Sequence, residues 1–137
     1  MADVLVLQVK NQLSEIERIT QSVDAFAERH ALPPKVTFAV NLALEEVLVN
    51  TISYGYVDAT DHLIDIHVQV EGGVLTARVE DDARPFDPTD HPVPDTLKPV
   101  EDRAIGGLGI HLVRGLFDVV EYQRRGERNL LVMKKNF

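Results

Sequence analysis

The sequence predicts an α/β (α+β) fold, a two-layer sandwich in which a mostly antiparallel sheet carries helices on one face. Three observations support this. Five segments alternate apolar and polar residues as strands do: Val4 to Val9, His62 to Val70, Val74 to Glu80, Val119 to Arg124 and Asn129 to Lys134. The last four form two pairs joined by short turns, Glu71-Gly72-Gly73 and the turn at Gly126, which are hairpin signals. Helical patterns fill the other spaces, in the order strand, two helices, hairpin, loop, helix, hairpin.

The first helix is read over Leu13 to Ala27, where Leu13, Ile16, Ile19, Val23 and Phe26 recur at helical spacing and Ser14 is a candidate cap. Pro33-Pro34 then marks a break and the first turn of a second helix, where a missing N–H costs nothing. That helix is expected to run from Pro34 to Tyr54 and to stop at Gly55 in a left-handed cap. Its apolar residues, among them Val36, Phe38, Leu42, Leu44, Leu48 and Ile52, point in nearly every direction, which predicts burial on most sides. From Asp81 to Ile105 periodicity gives way to five prolines, and a long irregular loop of this kind is a candidate lid. Gly106-Gly107-Leu108-Gly109 opens a third helix, expected to end near Phe117.

The length of 137 residues fits one domain spanning the chain, since a chain of this size buries roughly two-thirds of its unfolded surface. With 45% apolar and 26% charged residues the composition is that of a globular protein. No cysteine is present, which excludes disulfides and fits a reducing cytoplasm. The amino terminus lacks the basic start and apolar run of a signal peptide. No apolar stretch is expected to reach the roughly 20 residues that span a bilayer. The net charge of −8 disfavours nucleic acid, whose phosphates repel an acidic surface. A protein partner, or a nucleotide brought in by a cation, suits it better.

Polar residues inside an apolar helix require a reason. Glu46, Asn50 and Ser53 form one stripe, four and three residues apart, while Asn41 and Glu45 lie on another side that reads as the solvent edge. A carboxylate and an amide oxygen one turn apart suit a magnesium nucleotide, supplying a proton acceptor and a hard oxygen ligand. A polar pair hydrogen-bonded to backbone is the competing reading. Asp81, where a strand enters the proline-rich loop, could accept from an adenine amino group or merely cap a turn. Glycines 106, 107 and 109 put flexible backbone at a helix start, where exposed N–H groups attract phosphate, yet they also suit a structural turn. They form neither a Walker A loop nor a dinucleotide fingerprint, because no Lys-Ser/Thr pair follows and position 112 is Leu. His111 reads as a packing or surface residue, and His30, His62, His67 and His91 show no metal-ligand spacing.

Taken together, Glu46-Val47-Leu48-Val49-Asn50, Asp81 to Pro88, and Gly106-Gly107-Leu108-Gly109-Ile110 resemble, in order, the N, G1 and G2 boxes of the GHKL ATPase superfamily. The anti-sigma-factor serine/threonine kinases look most similar, and the resemblance runs from the first strand to Lys135. It implies a Bergerat-type ATP-binding fold, with ATP and Mg2+ as cofactors and an ATP lid over about 83–105. It implies that Asn50 binds magnesium, Glu46 is the general base and Asp81 reads adenine. Ala83, Arg84, Pro85, Arg103, Gly106, Gly107, Leu108, Gly109 and Ile110 would line the nucleotide, Arg84 and Arg103 as phosphate or partner contacts. Such proteins phosphorylate a serine or threonine on a small STAS-type anti-anti-sigma partner and sequester a sigma factor when that partner is unavailable. They often dimerise, so a homodimer is one expected assembly. A nucleotide-dependent binding module without phosphoryl transfer, or the catalytic domain of a sensor kinase, are the alternatives. The wider superfamily has glycines where this chain has Ala83 and Pro85: Pro85 is compatible with the shorter anti-sigma style of loop, whereas Ala83 is a strained choice if that backbone needs positive φ and so favours the binding module.

Overall fold

A computed structural model describes residues 3–58, 60–85 and 113–137. The elements in order are β1 (Asp3–Lys10), α1 (Glu15–Arg29), α2 (Pro34–Tyr54), β2 (Leu63–Glu71), β3 (Val74–Asp81), β4 (Val119–Arg125) and β5 (Arg128–Asn136). Residues 113–116 form a helical turn before β4. The strands make one sheet in the order β1-β2-β3-β5-β4, and each neighbouring pair is antiparallel. The expected α/β sandwich is the observed one.

Strand alternation decides which side chains reach the core. Ile64, Ile66 and Val68 of β2, Leu75, Ala77 and Val79 of β3, and Leu131 and Met133 of β5 are buried in one cluster with Ile19, Val23 and Phe26 of α1 and Val40, Leu44 and Leu48 of α2. Truncating a fully enclosed residue such as Leu48 to alanine costs about 2–5 kcal/mol, because transfer and cavity terms add. The same parity that points Leu75, Ala77 and Val79 inward also points Asp81 inward at the end of β3. Its cross-strand partner is Asn129, the corresponding inward residue of β5. The sheet therefore ends, on its helix-covered face, in a buried polar pair.

Glycine makes the β2–β3 hairpin possible: Gly72 and Gly73 sit at φ 59° and 76°, the positive values that a tight hairpin turn of the right twist requires at both positions. The β4–β5 turn needs a positive φ only at its first position, where Gly126 sits at φ 60°.

Several local expectations are corrected. Leu13 precedes α1 and is 53% exposed, so the helix begins two residues later than its apolar spacing suggests. Ser14 occupies the cap position but makes no capping hydrogen bond. The Glu15 carboxylate instead accepts from the Lys10 N–H at 3.1 Å, tying the start of α1 to β1. Helix α1 ends in a Schellman closure: Leu32 N–H donates to Ala27 O at 3.0 Å and Ala31 N–H to Glu28 O at 3.2 Å. Ala31 occupies the left-handed position there, at φ 48°.

Helix α2 has the expected limits, yet Phe38 is 64% exposed, so one stripe of it is uncovered. With 21 residues and a mean hydropathy of 1.3 it is long and apolar enough, by length and composition, to cross a membrane, contrary to expectation. Its apolarity has another use here, since Val36, Ala39, Val40, Ala43, Leu44, Val47 and Leu48 are buried in the core. Gly55 is not a left-handed cap: its φ is −85°. A side chain is excluded there by space, because an added Cβ would lie 2.5 Å from Thr51 O and 2.8 Å from the Ala83 methyl.

Candidate functional site

The site is built where the end of α2 meets the end of β3. Gly55 lets the two close to contact, and its carbonyl accepts from the Arg84 N–H at 2.9 Å. The helix bearing Glu46 and Asn50 is thus pinned to the segment that follows Asp81.

Asp81 is 5% exposed. Its Oδ1 accepts two hydrogen bonds, from Ala83 N–H at 3.0 Å and from Asn129 Nδ2 at 2.9 Å. Oδ2 has no hydrogen bond to the described residues. Burial raises the Asp81 pKa, and the two hydrogen bonds oppose that rise. Among the described residues, the result is a carboxylate held by one oxygen, with no donor at the other.

Asn129 orients it. Its Nδ2 also reaches Ala83 O at 3.2 Å and Arg84 O at 3.1 Å, while its Oδ1 accepts from the Tyr122 hydroxyl at 2.5 Å and from Arg124 at 3.0 Å. With donors on one side and acceptors on the other, the amide has a single sensible orientation. Arg124 adds a bond to Ala83 O at 2.8 Å, so three side chains hold the strand exit in place. Sequence reasoning missed Asn129. Its only local signal was a polar residue at the head of the apolar run Leu130-Leu131-Val132-Met133.

Asn50 is 8% exposed, and its Nδ2 is fully buried without a hydrogen-bond partner among the described residues. A buried amide N–H without a partner among the described residues is costly, and an acceptor such as a phosphate oxygen would satisfy it. Glu46, one turn earlier on the same stripe, is half-buried and forms no ion pair among the described residues, whereas Ser53 at the end of the stripe is exposed. Glu45 is exposed as expected; Asn41 is not simply a surface residue, since it donates to Asp24 at 2.8 Å while its Oδ1 is buried without a partner among the described residues.

Ala83 is buried and Arg84 and Pro85 are exposed. Among the described non-glycine residues only Ala31 has positive φ, so Ala83 sits in ordinary backbone and its methyl fills space against Gly55. Arg103, Gly106, Gly107, Leu108, Gly109, Ile110 and His111, with nearly all of the expected lid, lie outside the described residues.

Comparison with known proteins decides the family. The histidine kinase-like ATPase domain family matches residues 9–135. The chain belongs to that family. Among curated proteins, the serine/threonine-protein kinase BtrW of Bordetella bronchiseptica is 23% identical over 111 residues, covering 81% of this chain and 78% of that protein. A histidine kinase-like ATPase domain is an ATP-binding one, and Asp81 Oδ2 and Asn50 Nδ2, both without a partner among the described residues, suit such a ligand.

Proposed function

We propose that the protein is a magnesium-dependent serine/threonine kinase that acts as an anti-sigma factor and phosphorylates an STAS-type anti-anti-sigma partner. Family membership and the name of the Bordetella relative support ATP-linked kinase chemistry. The observation that carries the reading is the placement of the buried Asn50 four residues after Glu46 on a helix pinned beside Asp81.

Bound Mg-ATP would supply the transferable phosphoryl group and a cation to spread its charge. Asn50 offers an amide oxygen to that cation, the kind of hard ligand magnesium takes. The Oδ2 of Asp81 accepts from the adenine amino group, with Asn129 and the Ala83 N–H holding the other oxygen. Glu46 takes the proton of the incoming serine or threonine hydroxyl. Arg84, Arg103 and the glycines at 106, 107 and 109 remain the proposed phosphate contacts.

The alternative of a binding module without transfer drew on a strained Ala83, and the ordinary backbone at Ala83 removes that ground. Replacement of Glu46 by glutamine keeps size and most hydrogen bonding while removing the base. Glu46→Gln is expected to bind ATP near-normally and to transfer phosphate about 100-fold more slowly or worse. A wild-type protein that binds ATP but labels no STAS-type partner would establish the module instead.

A further inference from the structure

His62 stands just before β2, in a segment that joins α2 to the sheet. Its Nδ1 lies 2.9 Å from Asp82 Oδ2 and its Nε2 lies 2.9 Å from Asp58 Oδ1. A neutral imidazole has one N–H and would turn a lone pair toward one of these carboxylates, whereas an imidazolium donates to both. The ring also stacks on Tyr56 at a centroid distance of 4.4 Å and an interplanar angle of 27°. Tyr56 follows Gly55, and Asp82 follows Asp81. One ring therefore clamps the end of the Asn50 helix to the residue next to the proposed adenine acceptor.

We propose that His62, in its charged form, is a positioning residue for nucleotide binding, holding Tyr56 and Asp82 so that Asp81 and the end of α2 keep a fixed separation. The proposal rests on the ATP-site reading above. The groups facing the ring from each packed segment are consistent with it. Asp58 and the Thr60 hydroxyl, the latter at 3.1 Å from Nε2, come from its own segment, and Asp82 comes from the exit of β3. From the loop after β1, neutral Asn11 accepts the His62 backbone N–H at 2.9 Å. The nearby Asp61 carboxylate is taken up by Lys10 at 3.6 Å. The cation near this cluster, Arg128, acts on Tyr56 and Asp81 and is itself paired with Asp65 at 3.1 Å and Glu80 at 3.7 Å.

The hydrogen bonds to Asp82 and then to Asp58 raise the His62 pKa above its ordinary value near 6.5. The sign follows. The clamp is fully present below the unfolded-state pKa and is lost as pH rises through the raised folded-state value. ATP affinity should therefore fall on the alkaline side of 6.5, by about two- to fivefold, the range that partly exposed charge pairs deliver.

The test is a pH series of Mg-ATP titrations on the wild type, His62→Gln and Asp82→Asn, with the His62 ring titrated by NMR in the wild type. The wild type should show an affinity step that tracks the His62 titration, and both variants should lack it. Comparing variants with wild type cancels the ionisation of ATP itself. Parallel pH profiles in all three proteins, or a His62 pKa at its ordinary value, would overturn the proposal while leaving the ATP site standing. Absence of ATP binding at every pH would overturn the ATP-site reading and this proposal with it. The wild-type NMR titration needs no variant, so a misfolded substitution cannot leave the question open.

Discussion

Asp81 and Asn129, 48 residues apart in sequence, face each other across β3 and β5, and the Asn129 amide donates to Asp81 Oδ1 at 2.9 Å. Both are buried on the core-facing side of the sheet, where a charge is tolerated only when its neighbours supply hydrogen bonds. The pair therefore does two tasks, satisfying a buried carboxylate and aiming its second oxygen.

Removing the amide should expose both tasks. Asn129→Ala leaves the Tyr122 hydroxyl without its acceptor, removes one of the Arg124 hydrogen bonds and leaves Asp81 with a single donor. We expect a stability loss of about 1–3 kcal/mol, the cost of orphaned buried polar groups, measured by urea unfolding. ATP affinity should fall in the same variant, measured by calorimetric titration. Unchanged affinity would show that Asn129 is structural only.

Gly55 offers a separate handle on the same region. Because an added methyl would meet Thr51 O at 2.5 Å and the Ala83 methyl at 2.8 Å, Gly55→Ala must disturb both the last turn of α2 and its packing on the exit of β3. Overpacking of this kind costs about 1–3 kcal/mol. Since the φ of −85° suits alanine, Gly55→Ala combined with Ala83→Gly should recover the part of the loss that comes from the Ala83 methyl, while the contact with the Thr51 carbonyl remains. A purely additive double variant would contradict the contact.

The end of α1 predicts a gain. Ala31 holds a left-handed φ of 48° that costs an L-residue about 1–2 kcal/mol, partly offset in glycine by the greater freedom of the unfolded chain. Ala31→Gly should stabilise the protein by about 0.5–1 kcal/mol and raise Tm by roughly 2–5 °C in a thermal melt. No change in ATP binding is expected.

Much of the architecture was legible because its signals are local. Gly72-Gly73 between alternating segments specifies a tight hairpin, and Pro34 and Gly55 bracket α2 at its observed limits. What was not legible depends on distant partners. The glycine at 55 reads the same whether it serves a positive φ or a close approach, and only the position of Ala83 distinguishes the two. The apolar residues of α2 do not reveal which neighbours cover them, so the exposure of Phe38 could not be foreseen. Asn129 and His62 gain their roles from Asp81 and Asp82, which the strand register and the β3 exit bring to them.

The most direct test of the ATP-site reading is the affinity of Asp81→Asn for Mg-ATP. Asparagine can keep an acceptor at the Oδ1 position, where the Ala83 N–H and Asn129 hold it, and so places a donor where Oδ2 now stands open. The fold should survive, with Ala83 and Asn129 amide resonances close to those of the wild type. Donor would then face donor at the adenine amino group, and isothermal titration should show affinity reduced about 100-fold. Wild-type affinity in a folded Asp81→Asn protein would contradict the assignment of Asp81 as the adenine acceptor.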